Sequence, residues 1–242
     1  TRLPPMRAIG ALHVRDPGAA EAAAYACGLV LACELGTHGV DLSFAPVLDV
    51  DHGSSSVIGD RSFHADPAVV GVLGARLVAG MRAGGMGAVG KHFPGHGFVR
   101  ADSHHELPVD ERSYAEIAAT DLVPFRAAIA AGLAAVMPAH IVYRAVDDRP
   151  AGFSDRWLNG VLRGVLGFRG MVFTDDLSMA GAHAVGDIAA RADAAFSIGC
   201  DMVLVCNDPA TAAILLDRLP PRAMDPARWS LMRPPPERDP GR

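Results

Sequence analysis

The chain has 242 residues, half of them hydrophobic, which is enough to bury one sizeable core. Its formal net charge of −5 lacks the basic character that tracks phosphate backbones, so nucleic acid is not an expected partner. The Ala-rich stretches are interrupted by Glu, Arg or Gly, so no run of about 18 apolar residues predicts a membrane span.

The cysteines indicate the redox compartment. None has the spacing of a zinc-binding motif, and all four lie in predicted helices or strands: Cys27, Cys33, Cys200 and Cys206. No cleavable signal sequence is visible, although the chain opens on Thr1. These features favour a reducing, cytoplasmic location.

Helices and strands alternate along the chain. Asp-Pro pairs, which suit the N-cap and first turn of a helix, open three of the helices. Pro124 predicts that one helix ends and another begins within residues 114–131. The predicted helices are 17–36, 67–83, 114–131, 155–166, 187–199 and one from 209. The predicted strands are 40–50, 88–93, 134–143, 170–174 and 201–206.

This alternation predicts a parallel sheet covered by helices, either an open sheet or a closed barrel. No Gly-x-Gly-x-x-Gly turn and no phosphate-binding Gly-Lys-Ser loop is present, so a nucleotide-binding open sheet loses support. Polar side chains end nearly every strand: Asp49, Lys91, His92, His140, Asp175 and Asn207. A barrel carries its active site on such a ring of strand ends, so we predict an α/β fold of the (β/α)8 TIM-barrel type.

A closed barrel needs eight strands, whereas five are predicted here. We therefore expect about three N-terminal strand and helix units to be absent. Residues 1–218 are predicted to form this incomplete barrel domain. Residues 219–242 are predicted to form a Pro-rich tail that is extended or loosely ordered.

Five short motifs carry most of the functional information. They are residues 43–50 (SFAPVLDV), 59–63 (GDRSF), 91–97 with 102–104 (KHFPGHG and DSH), 137–140 (MPAH) and 173–179 (FTDDLSM). In this order and spacing they closely resemble the bacterial β-N-acetylglucosaminidases of glycoside hydrolase family 3, the NagZ type. The resemblance implies a barrel enzyme without a cofactor that removes non-reducing terminal N-acetylglucosamine with retention of configuration. It also implies a small carbohydrate substrate, N-acetylglucosaminyl-anhydromuropeptides, and a role in cytoplasmic peptidoglycan recycling.

A retaining glycosidase needs a nucleophilic carboxylate and a proton donor beside the leaving oxygen. Asp175 and Asp176 point to opposite sides if the strand geometry persists, so only one of them faces the sugar, and the residues alone leave the choice open. The resemblance assigns the nucleophile to Asp175. A helix or turn cap is the better account of Asp176.

The resemblance assigns the proton donor to a histidine, His104. Asp102, two residues earlier, has the position to orient and polarise that imidazole. With a reference pKa near 6.5, a histidine serves as an acid in the first step and as a base in the second. An Asp-Ser-His sequence taken alone is a weak signal, and a solvated loop histidine is the alternative reading. His105 has no matching role.

The resemblance also assigns the binding of the sugar hydroxyls and the N-acetyl group to Arg61, Lys91 and His92. A neutral sugar offers many polar groups and little apolar area, so fixed polar side chains must supply the specificity. An ion pair between Lys91 and Asp49 beneath the site is the alternative for Lys91. His96 is expected to brace its loop, and His140 either lines the pocket or packs in the core.

Two other functions remain open. The histidines, together with Asp49 and Asp175, are candidate ligands of a metal-dependent hydrolase. Against this, Pro94 and Gly95 break the spacing between His92 and His96, so no metal is expected. A non-catalytic sugar-binding protein of the same fold is the second alternative.

The predicted absence of three strand and helix units has its own consequence. It leaves two unpaired sheet edges, and the family's substrate-binding acidic residue would precede Thr1. We therefore expect residues 1–242, expressed alone, to aggregate or associate with other copies and to show negligible hexosaminidase activity.

Overall fold

The computed structural model describes residues 1–100 and 107–235. Five parallel strands form the main sheet: β1 (Leu42–Ser43), β2 (Gly87–Phe93), β4 (Ala135–Pro138), β6 (Met171–Asp176) and β7 (Met202–Leu204). They lie in the order β1-β2-β4-β6-β7. Two short strands, β3 (Val109–Asp110) and β5 (Val142–Tyr143), pair in a separate parallel sheet. The predicted α/β architecture with a parallel sheet is confirmed.

Eight α-helices surround these strands within the described residues. They are α1 (Met6–Arg15), α2 (Pro17–Thr37), α3 (Pro67–Ala83), α4 (Tyr114–Ala119), α5 (Leu122–Ala130), α6 (Ile188–Ser197), α7 (Pro209–Arg218) and α8 (Pro226–Ser230). Short 3-10 turns occupy Gly59–Arg61, Ala151–Phe153 and Ala180–Val185, and Arg156–Val165 is π-helical. Asp16, Asp66 and Asp208 each accept a backbone N–H at a helix start, which confirms the three Asp-Pro caps.

Helix α2 packs closely against α3 through two glycines. A Cβ on Gly28 would lie 2.2 Å from the carbonyl oxygen of Leu77, and one on Gly80 would lie 2.0 Å from that of Tyr25. The two helix backbones therefore touch where no side chain fits. By length and composition α2 is also apolar enough to cross a membrane, a property that core helices share. The prediction against a membrane partner stays a prediction.

One face of the sheet packs against the helices and forms the main core. The opposite face, called the inner face here, carries a second apolar cluster. Val89, Met137 and Phe173 belong to this cluster. Because alternate residues of a strand share a face, Lys91 follows Val89 and Asp175 follows Phe173 onto the inner side. Two charged residues thus continue an apolar face at the carboxyl ends of their strands.

The first strand is shorter than predicted. Only Leu42 and Ser43 form ladder pairs, with Gly87 and Ala88. Proline lacks an N–H and cannot donate to a ladder, so Pro46 interrupts the predicted strand 40–50. The chain nevertheless continues beside β2, and an N–H of β2 donates to the Pro46 carbonyl at 3.1 Å.

Two further boundaries differ from the predictions. The helical region 114–131 breaks at Thr120 and Asp121, and Pro124 lies in the first turn of α5, where its missing N–H has no partner to lose. The strand predicted at 134–143 divides after Pro138, since Val142 pairs with Val109 in the smaller sheet.

The described part of the C-terminal tail is not loosely ordered, so that prediction was wrong for residues 226–232. Asp225 caps α8, and Met232 is 1% exposed within the inner apolar cluster. The Met232 carbonyl accepts the N–H of Gly87 at 2.9 Å. Proline content predicted an extended chain, but apolar burial against the sheet fixes this segment. The domain boundary at residue 218 stays a prediction.

Candidate active site

Strands β2 and β6 bring the central residues together at their carboxyl ends. The pairing of β2 with β4 shifts register between Lys91 and Phe93, and the pairing of β6 with β7 shifts between Phe173 and Asp176. Such irregularities re-aim side chains and are frequent beside active sites. Both shifts fall on the segments that carry the predicted sugar-binding and nucleophilic residues, His92 and Asp175.

A buried aspartate lies beneath the turn that follows β2. Asp49 is 0% exposed, and its Oδ2 lies 2.7 Å from Nδ1 of His92. The N–H of His96 donates to Oδ1 at 2.7 Å, and the N–H of His92 lies 3.2 Å from both carboxylate oxygens. Burial opposes ionisation, but the electrostatic interaction and the hydrogen bond with His92 outweigh it and lower the pKa of Asp49. Asp49 therefore holds this turn as a carboxylate.

Asp175 has the electrostatic environment of an ionised carboxylate. Burial raises its pKa, but electrostatic interactions with His92 and then with His140, together with a hydrogen bond from the N–H of Asp176, bring the pKa of Asp175 below its usual value. That N–H donates to Oδ1 of Asp175 at 2.8 Å. An ionised carboxylate is the form that a nucleophile requires.

Asp176 has a structural role. Its Oδ1 accepts hydrogen bonds from the N–H of Ser178 at 2.9 Å and from the N–H of Cys206 at 3.2 Å. The hydroxyl of Ser178 donates to the same carboxylate at 2.8 Å. These contacts confirm the interpretation of Asp176 as a turn cap, which also ties the end of β6 to the end of β7.

Lys91 lies between positive and negative neighbours. Burial lowers the pKa of Lys91, the charge of Arg61 lowers it further, and Asp175 and Asp49 act in the opposite direction. Lys91 Nζ lies 5.8 Å from the centroid of the Phe44 ring. Within the described residues the partner of Asp49 is His92, so the predicted alternative of a Lys91–Asp49 ion pair was wrong. The ammonium remains directed towards the inner face.

Arg61 ends a 3-10 turn in the loop that connects β1 with α3. Its Nη1 donates to the carbonyl of Val57 at 3.3 Å. The side chain lines an apolar pocket of about 250 Å³ together with Phe44, Pro46 and Leu77. Because its charge acts on Lys91, Arg61 belongs to the same site, although it approaches from a different loop.

Two histidines pack behind the site. His140 is fully buried, its Nε2 lies 3.1 Å from the carbonyl oxygen of Asp176, and its ring stacks on Phe153 with centroids 5.5 Å apart. Of the two possibilities left open for His140, the structure therefore supports packing. His96 contacts the His92 ring edge-on and donates its N–H to Asp49, as expected of a loop brace.

Asp102 and His104 lie outside the described residues. Phe98, which precedes residues 101–106, and Asp110, which follows them, both contact Arg112. The sequence did not predict these contacts. The guanidinium carbon lies 4.0 Å from the centroid of the Phe98 ring. The same guanidinium binds both oxygens of Asp110 and, at 2.7 Å, Oδ2 of Asp121. No local sequence pattern predicts this cluster of Phe98, Asp110, Arg112 and Asp121.

Metal binding was the alternative chemistry. Within residues 1–100 and 107–235, no group of three or more His, Cys, Asp and Glu side chains is arranged to hold a metal ion. A metal-dependent hydrolase therefore gains no support from this part of the chain.

Comparison with known proteins identifies relatives over most of the chain. The family described as "Glycosyl hydrolase family 3 N terminal domain" matches residues 1–223. The "Beta-hexosaminidase" of Aromatoleum aromaticum is 58% identical over 91% of this chain and 62% of its own length. That of Thiobacillus denitrificans is 57% identical over 96% of this chain and 65% of its own length. The chain thus spans less than two thirds of these relatives.

A solved structure is similarly close. NagZ from Neisseria gonorrhoeae, in complex with N-trifluoroacetyl-D-glucosamine, superposes with a TM-score of 0.89 at 51% identity. The match covers 96% of this chain and 68% of that one. Sequence and fold therefore lead to the same group of proteins.

Proposed function

Because this chain belongs to glycosyl hydrolase family 3, we propose that it carries the active site of a β-N-acetylhexosaminidase that removes non-reducing terminal N-acetylglucosamine. The observation that carries the proposal is the position of Asp175 at the carboxyl end of β6, where electrostatic interactions with His92 and Lys91 lower the pKa of its carboxyl group. Relatives named "Beta-hexosaminidase" and a NagZ bound to a glucosamine derivative support the choice of sugar.

The proposed reaction proceeds in two displacements with retention of configuration. The Asp175 carboxylate attacks the anomeric carbon as the bond to the leaving oxygen breaks, and His104 gives its proton to that oxygen. Water then attacks the anomeric carbon, its proton passes to His104, and the bond to Asp175 breaks. In this proposal Asp102 orients His104, while Arg61, Lys91 and His92 hold the sugar.

The biological setting is part of the proposal. We place the five-stranded sheet in a closed (β/α)8 barrel, whose carboxyl-end face carries the site. The substrate is an N-acetylglucosaminyl-anhydromuropeptide, and the reaction belongs to cytoplasmic peptidoglycan recycling. The free thiols Cys27, Cys33, Cys200 and Cys206 are compatible with a reducing compartment.

Covalent labelling tests the nucleophile. A fluorinated, slowly reacting N-acetylglucosaminide should accumulate as a glycosyl ester, and peptide mapping should place the label on Asp175. In the intact protein, Asp175→Asn should lower turnover at least about a thousandfold, because the nucleophile is lost. Asp148→Asn, at an exposed position, is the matched control and should retain turnover. A label on Asp176, or no labelled carboxylate, would refute the assignment.

Leaving-group dependence tests the proton donor. In His104→Ala, an aglycone that needs no protonation should restore the first step and leave the second step slow, whereas unactivated glycosides should not turn over. Equal losses with both kinds of substrate would show that His104 is not the acid. A parallel panel of glucoside, xyloside and N-acetylgalactosaminide measures whether N-acetylglucosaminide is preferred.

A further inference from the structure

Neighbouring residues must fix the orientation of the side chains that are proposed to hold the sugar. His92 is the one whose orientation the described structure explains completely. Its side chain is 9% exposed, and Nδ1 lies 2.7 Å from Oδ2 of Asp49, whose own side chain is 0% exposed. We propose that Asp49 is a positioning residue that holds His92 in the tautomer with hydrogen on Nδ1, so that Nε2 accepts a hydrogen bond from a sugar hydroxyl.

The hydrogen-bonding capacity of a carboxylate fixes the tautomer. An ionised carboxylate only accepts hydrogen bonds, so the 2.7 Å contact places a proton on Nδ1 of His92. In a neutral imidazole the other nitrogen, Nε2, then has a free lone pair. No described residue forms a hydrogen bond with Nε2. That nitrogen is therefore available to a ligand as an acceptor.

Hydrogen bonds from backbone N–H groups hold the Asp49 carboxylate in this orientation. The N–H of His96 donates to Oδ1 at 2.7 Å, and the N–H of His92 reaches both oxygens at 3.2 Å. The Asp49 carbonyl also accepts the hydroxyl of Ser62 at 2.7 Å. Side chain and backbone are thus fixed from both ends of the turn. A carboxylate so held keeps its contact with Nδ1 of His92.

The position of His92 connects this tautomer to the reaction. His92 interacts electrostatically with Asp175, and the two residues lie at the carboxyl ends of strands β2 and β6 of the same sheet. In the proposed function, the hydroxyl that donates to Nε2 belongs to the sugar bound at these strand ends. This part of the inference rests on the proposed function, whereas the tautomer itself follows from the Asp49 contacts alone.

Asp49→Asn is the decisive variant because it has the same shape. The amide oxygen would continue to accept the His96 N–H, and the amide NH₂ would face Nδ1 of His92 and donate to it. The imidazole proton should then move to Nε2, which would turn an acceptor into a donor. Side-chain ¹⁵N NMR of protein labelled at histidine should show hydrogen on Nδ1 in the native protein and on Nε2 in the variant.

Hydrogen on Nε2, or on both nitrogens, of native His92 would overturn the proposal, as would an unchanged tautomer in Asp49→Asn. Asp51→Asn is the matched control, two residues along the chain. Asp51 pairs with Arg7 and has no contact with His92, so the native tautomer should persist. This readout needs no turnover, and therefore fails or succeeds independently of the proposed activity.

Substrate analogues supply the second readout. Fluorine cannot donate a hydrogen bond, so at the hydroxyl that binds Nε2 the fluoro and deoxy analogues should lose kcat/KM equally, by about 10- to 100-fold. In Asp49→Asn the fluoro analogue should recover relative to the deoxy analogue. Nε2 does not act as an acceptor if the native protein has a higher kcat/KM for the fluoro analogue than for the deoxy analogue at every sugar position. The native measurements decide the question even where Asp49→Asn does not fold.

Discussion

At the scale of single residues, burial decides which ionisable groups remain neutral. His140 is fully buried, and burial lowers its pKa although Asp175 opposes the shift. Burial, followed by the electrostatic interaction with His92, also lowers the pKa of His96. The Nε2–H of His140 donates to the Asp176 carbonyl, which leaves Nδ1 without a hydrogen-bond partner among the described residues. A charged ring at this position would lack solvation.

This environment predicts a specific pH dependence of stability. The pKa of His140 is lower in the folded than in the unfolded state, so the folded state binds fewer protons. Stability is then complete above the unfolded pKa of about 6.5 and is lost as the pH falls towards the folded pKa. Between about pH 7 and pH 5, each such histidine should reduce the free energy of unfolding by up to about 1.4 kcal/mol per pH unit.

Urea unfolding at several pH values checks this prediction. His140→Gln should have a lower stability at neutral pH, because it loses the stack on Phe153, and a shallower decline in acid. His38→Gln, at an exposed position, should reproduce the native pH dependence. A decline of equal steepness in His140→Gln and the native protein would exclude His140 as its source.

At the scale of elements, Arg112 binds Asp110 and Asp121, and Asp121 in turn connects this cluster to a distant segment of the chain. Asp110 belongs to β3, Asp121 precedes α5, and His52 contacts Asp121 from the loop after β1 at 3.2 Å. The side chains of Asp110 and Asp121 are 0% exposed, and that of Arg112 is 10% exposed. Two buried carboxylates around one guanidinium form a bidentate and charge-assisted contact.

Removal of the shared cation should be costly. Arg112→Ala leaves both carboxylates buried without their partner, so we expect a loss of about 3–5 kcal/mol in the free energy of unfolding. Arg112→Lys keeps the charge but not the planar fork and should lose less. Chemical denaturation followed by fluorescence measures the free energy of unfolding of the native protein, of Arg112→Ala and of Arg112→Lys.

Arg144→Ala is the matched control for this prediction. Arg144 pairs with Glu111 at 3.2 Å, but both side chains are more than half exposed, so the loss should stay below about 1 kcal/mol. Comparable losses for Arg112→Ala and Arg144→Ala would mean that the cluster around Arg112 contributes no more than a surface ion pair.

At the scale of the whole molecule, the C-terminal segment covers the sheet. Met232 inserts into the inner apolar cluster, and a Cβ on Gly87 would lie 2.6 Å from its Cα. Arg228 binds Asp201 at 2.8 Å beside the start of β7. The segment therefore packs at the amino ends of the strands, opposite the candidate site.

Truncation of the Met232 side chain should lower the free energy of unfolding without changing the candidate site. Met232→Ala should lose about 2–5 kcal/mol in the free energy of unfolding, since it leaves a cavity in a closely packed cluster. Met224→Ala, at a residue that is 41% exposed, should lose much less. Thermal and urea unfolding compare the two variants. An equal, small effect of both would indicate that the segment does not contribute to the core.

Some features of this protein were determined by sequence alone, because their signals are local. The Asp-Pro caps, the alternation of helix and strand, and the opposite orientations of Asp175 and Asp176 depend on neighbouring residues. The motifs that carry the family resemblance are likewise short. The roles assigned through that resemblance to Asp175, Asp102, His104, Arg61, Lys91 and His92 stay predictions.

Only the tertiary structure decided what holds those residues in place. Asp49 and His92 are 43 residues apart, and the contacts of Arg112 reach from β3 to the start of α5. Met232 lies near the C-terminal end of the chain and accepts the N–H of Gly87, which lies in its first half. Such contacts form because buried polar groups must find partners and apolar side chains must leave water. Neither requirement specifies, within any short stretch of sequence, which distant residue will satisfy it.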